Sequence, residues 1–169
     1  MGFRRLARNF GLVATGLATL SGCGMFKRHS ALECMERAVY FESNRSSRDG
    51  MVAVGSVVMN RVGSRDYPDT VCGVVSQKNQ FAPGVMTRRM DSRSAPQARE
   101  AAISVLGGER HPMIGNAQFF HAASYRAGYN NMHYVLTTGG NTFYERRRPE
   151  FVTNPVSRPS IEGVTRSRR

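Results

Sequence analysis

Acidic residues are scarce in this chain of 169: twelve Asp and Glu face 24 Lys and Arg, for a formal charge of +12 and an isoelectric point near 10.8. That imbalance points to an anionic partner, whether polymer, membrane surface or nucleic acid, without choosing among them. Cysteine is scarcer still. Three cysteines exclude a disulfide-scaffolded miniprotein, and the lack of any C-x-x-C pair speaks against a zinc knuckle or a thioredoxin-type redox motif. The four histidines show no H-E-x-x-H spacing, and no internal repeat is visible. No apolar run approaches the roughly 20 residues that a membrane-spanning helix needs. What is present is a hydrophobic fraction of 40% with nine Phe and six Tyr, enough for one core and against wholesale disorder. The length suits one domain and a short tail.

The first apolar stretch reads as an address. Arg4, Arg5 and Arg8 precede a run from Phe10 to Leu20, the pattern of a signal peptide over residues 1–22. Leu20-Ser21-Gly22-Cys23 resembles the lipobox of bacterial lipoproteins, which implies that Cys23 becomes the acylated first residue of the mature chain. At about 0.8 kcal/mol per buried methylene, two acyl chains suffice for stable anchoring. Gly24, where Asp is absent, favours the outer membrane by the same resemblance. The alternative is a soluble exported protein cut near Gly22. Loss of the leader removes three Arg and no acid, lowering +12 to +9. Residues 23–30 then form a lipidated tether. In an oxidising compartment Cys34 and Cys72 are an even pair, predicted to form a disulfide, with two buried thiols as the alternative.

From Ala31 the spacing of Leu32, Met35, Ala38 and Val39 predicts a helix ending near Phe41 and Glu42, with Glu33, Glu36 and Arg37 on its other side. A second helix, starting at Ser47 or Asp49 and running through Val62, has almost no polar face and reads as the buried central helix. Gly55 within it implies a close-packed neighbour. A short helix over Val71–Val75 carries Cys72 inward. Residues 77–93 form a long loop, and a further helix starts at Ser94-Ala95-Pro96, capped by Ser94, and stops at Gly107-Gly108. Short strands are predicted at 118–121, 134–138 and 142–144. The folded domain spans 31–145. Beyond it, residues 146–169 read as a basic disordered tail, since the stretch from Glu145 holds seven Arg, three Glu and three Pro with little to bury.

Glu42 is the most informative residue. At about 100° per residue it lies about 20° from Met35 and 40° from Ala38, so its carboxylate leans toward apolar surface. A carboxyl so placed has a raised pKa and can act as a general acid on a glycosidic oxygen; the alternative is a surface Glu at a frayed helix end. The ordered motifs Ala38-Val39-Tyr40-Phe41-Glu42, Val58-Met59-Asn60-Arg61-Val62, Tyr67-Pro68-Asp69-Thr70-Val71-Cys72-Gly73-Val74-Val75, Gln80-Phe81, Phe119-Phe120-His121-Ala122 and Gly140-Asn141-Thr142-Phe143-Tyr144 resemble the SleB/CwlJ cell-wall hydrolase family over 31–144. The resemblance implies an α+β fold, with a mainly helical lysozyme-like core and a small antiparallel β element. It also implies peptidoglycan as substrate, cleavage between MurNAc and GlcNAc as a lytic transglycosylase, and Glu42 as the catalytic residue. Neither metal nor organic cofactor is implied. The chain departs from the family at Ser43-Asn44-Arg45-Ser46, where members carry a second acid in place of Ser46. A pair of carboxylates is the rule for hydrolytic glycosidases, whereas a lytic transglycosylase needs one. The alternatives are a non-catalytic peptidoglycan-binding lipoprotein and an N-acetylmuramoyl-L-alanine amidase.

The remaining candidates are substrate-binding. Asn60 either satisfies buried backbone or lies in the cleft; Gln80 and Phe81 suit a sugar subsite, although packing explains Phe81 equally well; His121 positions sugar or peptide groups, and Tyr125 joins them. Cys34 as a papain-like nucleophile is excluded by its apolar position and potential partner. Export makes nucleic acid a remote partner for the Arg-rich tail, leaving anionic envelope polymers. The expected location is the cell envelope, as a lipoprotein facing the periplasm. Labelled palmitate is expected to enter the wild type and not Cys23→Ser; equal labelling of the two would refute lipidation.

Overall fold

The computed structural model describes residues 29–43 and 47–165. Cys23 and the leader lie outside the described residues. Four helices and one sheet follow in order: α1 (Ala31–Glu42), α2 (Arg48–Val62), α3 (Val71–Val75), α4 (Ala95–Leu106), β1 (Phe119–Ala122), β2 (Met132–Thr138) and β3 (Asn141–Arg146), then a 3-10 turn over Pro149–Phe151. Hydroxyl caps set the first three helix starts. Ser30 Oγ accepts from Glu33 N at 3.1 Å, Ser47 Oγ from Gly50 N at 3.0 Å and Thr70 Oγ1 from Gly73 N at 3.1 Å. Ser94 occupies the cap position of α4 but does not cap it. Its backbone is already helical, and its hydroxyl instead pairs with that of Ser92 at 2.6 Å.

Helix α2 is the central element. Residues from Asp49 to Val58 are buried, and α1 and α4 pack on it. The neighbour that Gly55 implies is α4, since a Cβ there would lie 2.9 Å from Val105 Cγ2. The face of α1 expected to be polar is not uniformly so: Glu36 is buried and pairs with Arg99 of α4 at 3.0 Å, a long-range contact that helix periodicity does not contain. Cys34 and Cys72 form a disulfide that ties α1 to α3, their Cα atoms 5.2 Å apart.

The sheet has order β1-β3-β2, all antiparallel. Gly139 and Gly140, with φ of 57° and 77°, make the two-residue turn between β2 and β3, a conformation that favours glycine. This turn rests against the first turn of α2, where a Cβ on Gly50 would lie 2.6 Å from Gly139 Cα. The strands run one or two residues beyond the predicted limits, to Ala122, Met132 and Arg146, with a bulge between Tyr134 and Leu136.

The segment expected to be a disordered tail is tied down as far as Thr165. It runs along the free edge of β2, where Tyr134 N donates to Asn154 O and Ile161 N to Thr137 O, each at 2.9 Å. It then closes on α2: Asp49 accepts from Val164 N at 2.7 Å, from Thr165 N at 2.6 Å and from the Thr165 hydroxyl. Burial opposes the charge of Asp49, but these donors hold its carboxyl below the usual range. A composition argument misses this strap because backbone bonds and one buried carboxylate, rather than apolar side chains, secure it.

The disulfide closes a loop with a sequence separation of 38. In the chain-entropy treatment a loop of this size stabilises by roughly 4 kcal/mol. Cys34→Ala with Cys72→Ala is therefore expected to lower the unfolding free energy by about that amount in urea titration, and reductant to do the same to the wild type.

Candidate active site

The end of α1, the last turn of α2, the loop after α3 and the sheet enclose an open cleft of about 490 Å³. Glu42 stands at its edge and is half-buried. Two contacts fix its position. Its carbonyl accepts from Asn141 Nδ2 at 2.7 Å, and its carboxylate accepts from the backbone N–H of Ala82. Asn79, in the left-handed region with φ of 60°, turns the loop so that Ala82 N points back at the glutamate; Asn tolerates that conformation better than most residues. Burial raises the Glu42 pKa, and the Ala82 N–H and the positive charge of Arg61 partly offset it. The sequence expectation of a raised carboxyl pKa agrees in direction and in cause.

Arg61 was not singled out from sequence. It is 4% exposed, its Nε donates to Gln118 O at 2.8 Å, and its guanidinium carbon lies 5.2 Å from the Tyr67 ring centre and 5.4 Å from that of Phe81. Burial lowers its pKa, while Tyr67 and Glu42 favour the charge. Among the described residues its Nη1 has no hydrogen-bond partner. The signal for it is in the sequence: Arg61 stands three residues after Val58 and four after Val57, on the face that α2 buries.

Gln80, Phe81 and His121 line the cleft with Glu42. His121 Nδ1 lies 2.9 Å from Ala122 O and its Nε2 3.2 Å from the Tyr134 hydroxyl. A carbonyl only accepts, so Nδ1 carries a proton, and in the neutral ring Nε2 accepts from Tyr134. Asn60 does not line the cleft: its Nδ2 donates to Gly115 O and Ala117 O, both at 2.9 Å, satisfying backbone. Tyr125 also lies outside the cleft lining, packed edge-on against His121 with ring centres 5.4 Å apart. Asn79, Phe119, Phe120, Ala122, Asn141 and Tyr144 complete the wall; the family-like motifs contain all of these but Asn79, without marking any of them as a site residue. Ser46 lies outside the described residues. Glu42 is the one carboxylate among the described residues lining the cleft. The cleft thus joins a carboxyl of raised pKa to amide, imidazole and aromatic surfaces.

Because the folded state holds the Glu42 proton more tightly than the unfolded chain does, ionisation opposes folding: the penalty is absent below the unfolded carboxyl pKa and fully present above the folded one. Glu42→Gln keeps an acceptor for Ala82 N and removes the charge. It is expected to raise Tm at neutral pH, with the gain shrinking as pH falls toward 4; thermal melts across pH check this.

The cell wall hydrolase family model matches residues 45–144, beginning three residues after Glu42. The spore cortex-lytic enzyme of Oceanobacillus iheyensis is 34% identical over 89 residues, which are 53% of this chain and 31% of that protein. The spore cortex-lytic enzyme of Bacillus subtilis is 31% identical over 81 residues, 46% of this chain and 25% of that protein. The matched stretch therefore spans a third or less of these relatives. Among solved structures, the catalytic domain of the germination-specific lytic transglycosylase SleB from Bacillus anthracis superposes with a TM-score of 0.57 at 26% identity, covering 70% of this chain and 98% of that one. The catalytic domain of the Bacillus cereus SleB protein gives 0.58 at 26% identity, covering 70% and 94%. The mainly helical lysozyme-like core with its small antiparallel sheet is the fold of those domains. On the strength of a family match that covers more than half of it, the chain belongs to the cell wall hydrolases.

Proposed function

We propose that this domain cuts the MurNAc-GlcNAc bond of peptidoglycan as a lytic transglycosylase, with Glu42 as its single catalytic acid and base. The observation that carries this reading is a half-buried carboxyl of raised pKa, held by Ala82 N at the edge of a cleft whose lining contains no second acid among the described residues. Likeness to the SleB catalytic domains supports the same chemistry.

In the proposed reaction Glu42 gives its proton to the glycosidic oxygen as the bond from that oxygen to the MurNAc anomeric carbon breaks, and positive charge develops on the ring. The carboxylate left behind then takes the proton of the same sugar's 6-hydroxyl, whose oxygen closes on the anomeric carbon. The products are a shortened strand and a 1,6-anhydro end. No water is consumed, and Glu42 ends protonated as it began. Burial favours the acid that starts the cycle, while Arg61 and the Ala82 N–H favour the anion needed midway. Gln80, His121 and Asn141 offer the sugar hydroxyls and N-acetyl groups polar partners. Lipidation at Cys23 after removal of residues 1–22 would hold the domain on a membrane facing the wall, through the tether of residues 23–30.

Purified sacculi digested with the protein are expected to release anhydro-muropeptides by mass spectrometry. Reducing-end muropeptides, free stem peptides or no release would overturn the reading. Glu42→Gln is expected to slow release by about 10² to 10⁴.

A further inference from the structure

A second depression lies beside the cleft, and the two share a wall. His121 lines the cleft, and both Tyr134, whose hydroxyl is 3.2 Å from His121 Nε2, and Tyr125, whose ring packs edge-on against His121, line a neighbouring pocket of about 420 Å³. The opposite wall is residues 155–157 of the C-terminal strap. That strap lies beyond residue 144, where the family match ends, so this pocket is completed by a segment outside the matched domain. Its lining is mainly polar and contains Arg126 and no carboxylate. Tyr125, at 57% exposure, leaves a broad aromatic face in water at the rim.

We propose that this pocket is a subsite for the peptide substituent of the glycan, with a stem-peptide carboxylate on Arg126 and the peptide chain laid against Tyr125. The proposal rests on the reading of the Glu42 cleft as the place where the glycan is cut. In peptidoglycan the peptide branches from the lactyl group of MurNAc, the sugar whose anomeric bond would break at Glu42. A peptide leaving that sugar must cross the cleft rim, and the wall formed by His121 and Tyr134 separates that rim from the pocket. Stem peptides carry free carboxylates, and a guanidinium fork matches a carboxylate in shape and charge. The same pocket would accommodate a neutral bare strand without reward, so occupancy distinguishes peptide-bearing wall from stripped wall.

The test compares two substrates: soluble glycan strands that carry their peptides, and the same strands stripped of peptide by amide hydrolysis. The wild type is expected to favour peptide-bearing strands by about tenfold in kcat/KM. The preference should shrink at high salt, as for an exposed ion pair. Arg126 is an exposed loop residue, so Arg126→Glu should fold, and the ratio should fall to about one in that variant. Measurable and equal cleavage of both substrates by the wild type, or an unchanged ratio in Arg126→Glu, overturns the subsite. Binding is read separately by calorimetry on Glu42→Gln. A tenfold affinity preference there upholds the pocket even if the wild type cuts neither strand, in which case only the glycan-cutting reading falls. Equal affinities sink the pocket whatever is cut.

Discussion

The hydrogen bond from Asn141 Nδ2 to the carbonyl of Glu42 joins residues 99 positions apart and sets where the acid stands. The last carbonyls of a helix have no partner within it, so an outside donor decides how the final turn sits. For α1 that donor comes from the first residue of β3. It can reach only because the turn before it, at Gly139, approaches the backbone of Gly50 more closely than any side chain would allow. The helical layer and the sheet therefore meet through glycines on one side and an amide on the other. The carboxylate of Glu42 is left to face the loop after α3, where Ala82 N receives it.

This placement creates opposed electrostatic demands. Burial favours the protonated carboxyl, whereas Ala82 N–H and Arg61 favour the anion, and the net effect raises the pKa above the usual carboxyl value. A hydrolytic glycosidase places a second carboxylate across the scissile bond, to attack the sugar or to activate water. The charged side chain beside Glu42 in the described lining of this cleft is that of Arg61, which can do neither. Its charge is tolerated because Gln118 O and the faces of Tyr67 and Phe81 hold the guanidinium. The proposed reaction, in which the substrate's own hydroxyl supplies the nucleophile, asks for one acid and no second carboxylate, as the described lining of this cleft provides.

The helices were legible because local chemistry encodes them. Ser30 and Ser47 cap where the periodicity begins, and the apolar run of α2 announces a central helix. Glu42 was legible for the same reason, since its angle about α1 follows from counting. The sequence leaves Asn60 between satisfying backbone and lining the cleft, and the fold takes the first course: the spacing from Val57 and Val58 buries Arg61 and leaves Asn60 to bond the carbonyls of residues 115 and 117. Glu36 looked solvent-facing because its partner, Arg99, belongs to another helix. The strap was least legible of all. Bonds to the edge of β2 use main-chain groups that every residue possesses, so no side-chain pattern marks them.

That strap changes what the basic C-terminal stretch does for the domain. Glu162 accepts from Gly139 N at 2.7 Å and from the hydroxyl of Ser47, so one side chain binds the tip of the hairpin to the cap of α2. Asp49, in the first turn of the same helix, holds the strap a little further along at Val164 and Thr165. The contact between Gly50 and Gly139 is therefore clamped from outside the matched domain, and through Asn141 so is the position of Glu42. The strap also covers an edge strand that would otherwise present unpaired backbone to other chains. Residues that composition alone would assign to a solvated polyelectrolyte thus fix the geometry of the cleft, while the wall they add at 155–157 gives the cleft a neighbour.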